Sequence, residues 1–448
     1  MFRTPLRTRP RAQIGGARSV LPALSVLAAA LLAACSSTNA SPVAATSSAA
    51  ANAVTASGSA SAAPSGSSTA AASAAVSASA AGSSSAAVSA SAAAARGSLT
   101  ASQTTELAAL LKTAQGPAPW AAPGPPVDVK SLTGKKIFAL IDLQSVPFQT
   151  TLANAIKAAA GAASIQVTVG DGGFVATHDI QLLQNAVHDK YDAIILGEAV
   201  PATVAPALRE AKAAGIPVVS LLYGDPGAVI TSENTALNVV ADSTYCYTCS
   251  GAVAADEAIY ATGGKVNAVV ITDVGTELST DIQKGFLGEI AKYCPTTCKT
   301  KVDEVQTSNV AQAVTSAAQV AAQDSSVNVI FPGVDFMVAY ITPVLKAANA
   351  DKRIMVLSTN ADLAPMQTMA AGGSVKADVG NPIGWDAWGA VDQAYRAMAK
   401  MAPAADEKPP IRIFTPDNIA TIDLTKDADG WYGPVDYKSE YKKLWGLS

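Results

Sequence analysis

Histidine is almost missing from this chain. Its 448 residues hold two, His178 and His188, and both flank a stretch that reads as a surface helix. Neither is a candidate general base or metal ligand. The motifs of nucleophilic and phosphate chemistry are missing as well: no Gly-x-Ser-x-Gly, no Walker loop and no His-Glu-x-x-His occurs. Thr262-Gly263-Gly264-Lys265 is a turn before a strand, and Gly170-Asp171-Gly172-Gly173 lacks the helix spacing of a dinucleotide loop. No basic patch interrupts a formal net charge of −4, so nucleic acid is not an expected partner. These absences leave no cofactor, resident metal or catalytic group to assign. The high apolar fraction is less informative than it looks, because Ala and Ser dominate the composition.

Acidic side chains are absent from the first 34 residues, which carry Arg3, Arg7, Arg9, Arg11 and Arg18. Leu21 to Ala34 then runs apolar for about the length of a signal-peptide core, too short to span a bilayer comfortably. The run ends Leu32-Ala33-Ala34-Cys35, which resembles the lipobox of bacterial lipoproteins. That resemblance implies cleavage after residue 34 and lipidation of Cys35, placing the chain on the extracytoplasmic face of the cell membrane. The competing reading is an ordinary secretory signal with Cys35 incidental. Removing 1–34 takes away five Arg and no acid, leaving 26 basic against 35 acidic side chains, a net of −9. Residues 35–98 are nearly all Ala, Ser, Gly, Thr and Val, without charge before Arg96. They bury too little surface to offset chain ordering, and as a coil such a tether spans about 40–50 Å.

Four other cysteines form two close pairs, Cys246/Cys249 and Cys294/Cys298. Export favours disulfides, and three connectivities exist for four cysteines. Two local bridges are the expected pairing. A zinc site of all four thiolates and a redox role for the first pair are the alternatives.

Residues 99–133 form an extension. Leu99 to Ala114 carries Leu107, Leu110 and Leu111 on one helical face, and a proline-rich stretch follows; both are expected along the outside of the first domain. From Lys136 short apolar runs alternate with longer helical patterns. Ile137–Asp142, Ile165–Val169, Ala193–Leu196 and Val218–Leu222 read as strands of one series. Lys265–Thr272, Lys301–Val305, Val327–Phe331, Ile354–Ser358 and Lys376–Val379 read as a second. This alternation predicts an α/β protein of two doubly wound parallel-sheet lobes, joined near Val239-Val240-Ala241-Asp242.

The pieces, in order, resemble type I periplasmic binding proteins, and within them the ribose-type sugar-binding lipoproteins of ABC importers. The resemblance lies in Lys135-Lys136-Ile-Phe-Ala-Leu-Ile with Pro147-Phe148, Tyr191-Asp-Ala-Ile-Ile-Leu196 and Ala214-Gly-Ile-Pro-Val-Val219. Val329-Ile-Phe331 with Asp335, Asn360-Ala-Asp362, and Asn381-Pro382 with Gly384-Trp385 continue it. It implies a hinge of three crossings, near 241–242, 380–381 and 415–416. The first lobe would then be 134–241 with 381–415, and the second 242–380 with 416–448.

The same resemblance implies a ligand between the lobes, lined from the loops after the strands. Phe148 falls where an aromatic ring covers a sugar face, and Gln149, Glu198, Tyr223, Asn309, Asp335, Asn360, Asn381 and Trp385 are the other candidates. The charged groups of a ribose site are replaced: Leu222 and Tyr223 stand for an Asp-Arg pair, Ile282 for an Arg, Val334 for an Asn, and Asn360 for an Asp. A different sugar, or a less hydroxylated ligand, follows from those departures. The expected activity is capture of a small metabolite, sugar or sugar-like, and its delivery to the transmembrane permease subunits of an ABC importer. A sensory lipoprotein and an exported enzyme are the alternatives.

Overall fold

The structure, a computed structural model, describes residues 99–447 apart from 118, 174 and 408. The signal, the tether and Cys35 lie outside the described residues.

The first sheet contains β1 (Lys136–Ile141), β2 (Gln166–Asp171), β3 (Ala193–Gly197), β4 (Val218–Leu221) and β5 (Val239–Ser243), in the order β2-β1-β3-β4-β5. Every pairing is parallel. Ile137 pairs with Val167 on one side and with Ala193 on the other, so β1 is central. Strands buried on both faces need near-continuous apolar runs, which β1 and β3 supply and β4 supplies apart from Ser220. The edge strand β2 alternates exposed and covered residues. Helices α2 (Pro147–Ala162), α3 (Ala176–His188) and α4 (Ala205–Ala213) are the crossovers, and α5 (Ser232–Ala236) leads into β5.

The second sheet holds β6 (Asn267–Asp273), β7 (Lys299–Val305), β8 (Val329–Phe331), β9 (Met355–Asn360), β10 (Val375–Gly380) and β11 (Arg412–Phe414), in the order β11-β10-β9-β8-β6-β7. All pairings are parallel except β10 with β11. Helices α6 (Tyr247–Thr262), α7 (Glu277–Tyr293), α8 (Val310–Gln323), α9 (Val338–Ala347) and α10 (Leu363–Ala370) cover it. Helices α6 and α7 touch backbone to backbone. A Cβ on Gly251 would lie 1.9 Å from the Ile282 carbonyl oxygen, and one on Gly285 1.9 Å from that of Thr248. The expected local bridges are formed, Cys246–Cys249 at the start of α6 and Cys294–Cys298 just after α7.

The expected boundaries change at three places. Val239–Ser243 is a fifth strand of the first sheet, not the joint, because Ser243 still pairs with Leu221; the chain leaves that sheet at Thr244. Between Gly380 and α11 (Ile383–Met398) it returns, and α11 packs on β3, β4, β5 and α2. The third crossing is not at 415–416, since Arg412–Phe414 is already a strand paired with β10. Nor does 416–448 stay with the second lobe, because α12 (Tyr437–Leu444) packs against α11.

The extension differs too. Instead of lying along the first lobe, α1 (Ala101–Ala114) packs on α6 of the second lobe and reaches β11. The Gln115 side chain donates to the Thr415 hydroxyl at 3.2 Å, and Arg412 Nε donates to the Gln115 carbonyl at 2.9 Å. The chain then passes to α11 and α12. There Trp120 meets Trp385 at 5.3 Å and Tyr441 at 5.0 Å between ring centroids, and Val127 N–H donates to the Leu444 carbonyl. Residues 101–132 therefore strap the two lobes together. Beneath the strap, Trp388 stacks on Trp445 at 5.2 Å, and the buried Arg396–Asp392 pair is held by the Trp445 indole N–H.

Candidate functional site

In open parallel sheets the loops at the carboxyl ends of the strands are free to bind, and the strand order reverses between β1 and β3 in the first sheet and between β6 and β8 in the second. Gln149, in the first turn of α2 after β1, donates from its amide nitrogen to a Glu198 carboxylate oxygen just after β3. The switch point of the first lobe is therefore occupied by an amide–carboxylate pair. Glu198 has φ +54°, a conformation that costs a non-glycine residue free energy and recurs at functional sites. Leu222 after β4, Asn360 at the end of β9 and Ala361 just after it also have positive φ, at +57°, +109° and +55°.

The second lobe contributes acids and amides. Asp335 accepts from the Asp362 N–H at 2.6 Å, and Asp378 accepts from the Ala361 N–H at 2.9 Å. These carboxyls hold the left-handed turn after β9 in place. At the return crossing, the Asn381 amide donates to Asp386, whose own carbonyl accepts from the Ser243 hydroxyl at 2.8 Å.

The lobes meet across this region. The Tyr245 hydroxyl, just past β5, donates to Asn360 Oδ1 at 3.5 Å. Tyr245 and Tyr247 lie 4.1 Å apart between ring centroids, flanking the bridged Cys246. Asp225, in the loop after β4, accepts from the Thr248 N–H at 2.8 Å and the Thr248 hydroxyl at 2.5 Å; its own N–H donates to Asp281 of α7 at 3.1 Å. One loop of the first lobe is thus latched to two helices of the second.

The site is acidic. Burial raises the Glu198 pKa to about 7, opposed by the Gln149 amide and aided by Asp142. Burial, then Asp179 and Asp171, raise Asp142 to about 6. Asp378 is raised to about 7, mainly by burial, and burial with Asp378 and Asp362 pushes Asp335 well above the carboxylate range. Burial and Asp429 do the same for Asp386. The Tyr245 and Tyr247 phenols are pushed up first by burial, and each also feels Asp386 and Glu198. Gln149 Oε1 and Asp386 Oδ1 are buried oxygens without a hydrogen-bond donor among the described residues.

Of the residues expected from sequence, Gln149, Glu198, Asp335, Asn360 and Asn381 fall in this interlobe region. Tyr223 stands at the same rim, its phenol raised by burial and by Glu277 and Asp281 of the second lobe. Phe148 is half-buried and packs against the core at the start of α2. Trp385 is a correction: its ring stacks on Tyr437 at 5.1 Å and meets Trp120, and it is 2 % exposed, so it belongs to the aromatic core under the strap. Asn309 is exposed at the start of α8, in the loop after β7, where its side chain caps nothing. The sequence reading missed Asp142, Asp225, Tyr245, Tyr247 and Asp386. Tyr245-Cys246-Tyr247 carried a signal, since a bridged cysteine between two aromatics sits where the chain leaves the first sheet.

No helix among the described residues is long and apolar enough to cross a membrane, and no group of three His, Cys, Asp or Glu is arranged to hold a metal ion. A groove of about 500 Å³ lies apart from this region, between β7 and α8, lined by Val302, Val305 and Ala317.

Comparison with known proteins is consistent with this layout. The profile of a periplasmic binding protein domain matches residues 137–404, more than half of the chain. No curated protein sequence matches. Among solved structures, an ABC sugar transporter subunit from Rhodobacter sphaeroides is similar, with 18% identity and a TM-score of 0.56, over 64% of this chain and 100% of that one. An ABC transporter periplasmic solute-binding protein from Actinobacillus succinogenes, with bound D-allose, has 15% identity and a TM-score of 0.56 over 64% and 99%. One from Agrobacterium vitis, with bound allitol, has 20% identity and a TM-score of 0.56 over 64% and 97%. At these identities the likeness concerns the fold.

Proposed function

Starting from the fact that this chain belongs to the periplasmic binding protein domain family, we propose that it is a lipid-anchored receptor that captures a small sugar-like metabolite between its lobes and passes it to an ABC importer. The observation that carries the reading is the latched interlobe region, where Asp225–Thr248, Asp225–Asp281 and Tyr245–Asn360 join the lobes, together with buried oxygens of Gln149 and Asp386 that lack a donor among the described residues. Such acceptors cost about 1–3 kcal/mol each when left unmet, and a hydroxylated ligand supplies the donors they lack. Solved neighbours with bound allose and allitol support a polyol-sized guest. Binding and release work by population shift: ligand contacts to both lobes favour the closed state, and the importer draws on the open one.

The anchoring part of the proposal rests on Leu32-Ala33-Ala34-Cys35 and the uncharged tether after it. Two or three acyl chains, at about 0.8 kcal/mol per buried methylene, hold such a protein at the membrane. The test of capture is a thermal-shift screen against sugars, polyols and nucleosides. A ligand at about 100 times its Kd adds about 2.7 kcal/mol to the folded state. Absence of any shift across such libraries overturns the receptor reading. Cys35→Ser should release the protein from the membrane fraction, and retention there would overturn the anchor.

A further inference from the structure

Strand β7 is an open edge of the second sheet, paired with β6 and with no other strand among the described residues. Two bonds fix which way its peptide groups point. The Lys299 N–H donates to the Val266 carbonyl at 2.8 Å, and the Val305 carbonyl accepts from the Val274 N–H at 3.1 Å. Successive residues of a strand turn these groups to opposite sides, so Lys299, Lys301, Asp303 and Val305 bond toward β6. Thr300, Val302 and Glu304 present theirs outward, as a template for another strand. Both ends of the edge are pinned. The Cys294–Cys298 bridge stops next to Lys299, with Cys298 Sγ accepting from the Val266 N–H at 3.3 Å, and beyond Val305 the Thr307 hydroxyl donates to Asp273 at 2.8 Å. An edge already ordered loses little entropy on pairing.

The side chains select the occupant. The strand reads Lys299-Thr-Lys-Val-Asp-Glu-Val305, with its bases in the first half and its acids in the second. A two-fold axis through Val302 sets Lys301 of each copy opposite Asp303 of the other, Thr300 opposite Glu304, and Val302 opposite itself. In that register the residues with outward peptide groups form the hydrogen-bonded pairs. Lys301 and Asp303 fall in the non-hydrogen-bonded pairs, where facing side chains come closest. Charge and backbone therefore demand the same alignment. In-register parallel pairing sets Lys against Lys, and β2, an open edge of the first sheet, holds no base to offer.

The groove of about 500 Å³ runs beside this edge, walled by Val302, Val305, Ala313 and Ala317, with Val320 at its rim 57 % exposed. A two-fold axis normal to the sheet keeps both copies of α8 on one face, so the helices approach each other across the junction and cover that wall.

We propose that the chain forms a two-fold dimer by antiparallel pairing of β7 with β7 of a second copy, which joins two six-stranded sheets into one. The exposed ion pair that Lys301 makes with Asp303 of its own strand, at 2.8 Å, is exchanged for two pairs between copies.

The test is sedimentation velocity on the full chain carrying Cys35→Ser, from about 1 to 200 μM, where a monomer–dimer equilibrium is expected. Lys301→Asp or Asp303→Lys alone sets like charges opposite each other twice in the dimer and should weaken it about 10- to 100-fold. The two substitutions together restore opposite charges, and the dimer should return. Val302→Cys should crosslink to its own copy on mild oxidation, because the two Cα atoms lie about 5.5 Å apart across the axis; Lys301→Cys, set opposite Asp303, should not. A chain that stays monomeric over this range overturns the inference, and so does a dimer that both single variants leave intact. A monomer that dimerises only after removal of 36–98 shows that the chain covers its own edge, which also overturns it.

Discussion

Glu198→Gln makes the cost of the buried acid measurable without any ligand. In the folded protein the Glu198 pKa rises from 4.5 to about 7, chiefly through burial. Between those values the folded state holds a proton that the unfolded chain has released. Stability therefore falls as pH rises through this window, and the loss is complete above the folded pKa. A shift of that size corresponds to about 3 kcal/mol at 1.36 kcal/mol per unit, as a ceiling. Glu198 is partly exposed by area, and solvent screening brings the expected effect down to about 1–2 kcal/mol. Gln has nearly the same shape, accepts from the Gln149 amide and carries no charge. The ligand-free variant should be more stable than the parent at pH 8 by that amount, and indistinguishable from it at pH 4. The assay is urea unfolding of both proteins at the two pH values, read as the difference in midpoint. A variant that is no more stable at pH 8, or equally stabilised at pH 4, refutes the claim that burial strains this carboxylate.

Gly285→Ala should cost about 3 kcal/mol or prevent folding, because its Cβ would meet the Thr248 carbonyl at 1.9 Å. Gly288→Ala on the same helix, with nothing within 4 Å, should be stabilising by about 0.5–1 kcal/mol; thermal unfolding of the two separates close packing from propensity. Asp225→Ala removes the acceptor of both Thr248 bonds and should weaken the closed form by about 1–3 kcal/mol. Small-angle scattering should show a larger ligand-free radius of gyration, and an unchanged curve would dismiss the latch. Trp120→Ala, which removes ring contacts with Trp385 and Tyr441, should cost about 2 kcal/mol. It should also speed proteolysis within 99–132, and unchanged proteolysis would mean the ring does not hold the strap.

Much of the fold was legible because it rests on local periodicity. Ile137–Ile141 and Ala193–Gly197 are continuous apolar runs, and Val218–Leu221 is one but for Ser220, as strands buried on both faces require. Two strands escaped for the opposite reason. Arg412–Phe414 has three residues, and only its pairing with β10 makes it a strand. Val239–Ser243 alternates buried and half-buried residues and looks like a connector until β4 lies beside it.

The candidate site divides in the same way. Gln149 and Glu198 could be named from their positions after strands, but not as a pair, since 49 residues separate them in the chain. Trp385 has the composition of a sugar platform, and only the arrival of Trp120 and Tyr437 shows that it is core. The order of apolar and polar residues, acting through hydrogen-bonding periodicity, determined two α/β lobes; the spacing of the cysteines pointed to the local pairs, and the likeness of particular segments to the family. Tertiary structure alone decided which loops face each other, that the N-terminal strap joins both lobes, and that Glu198, Asp335, Asp378 and Asp386 form no ion pair among the described residues. Charge balance in a buried site depends on what every converging segment brings, and no single stretch of sequence contains that sum.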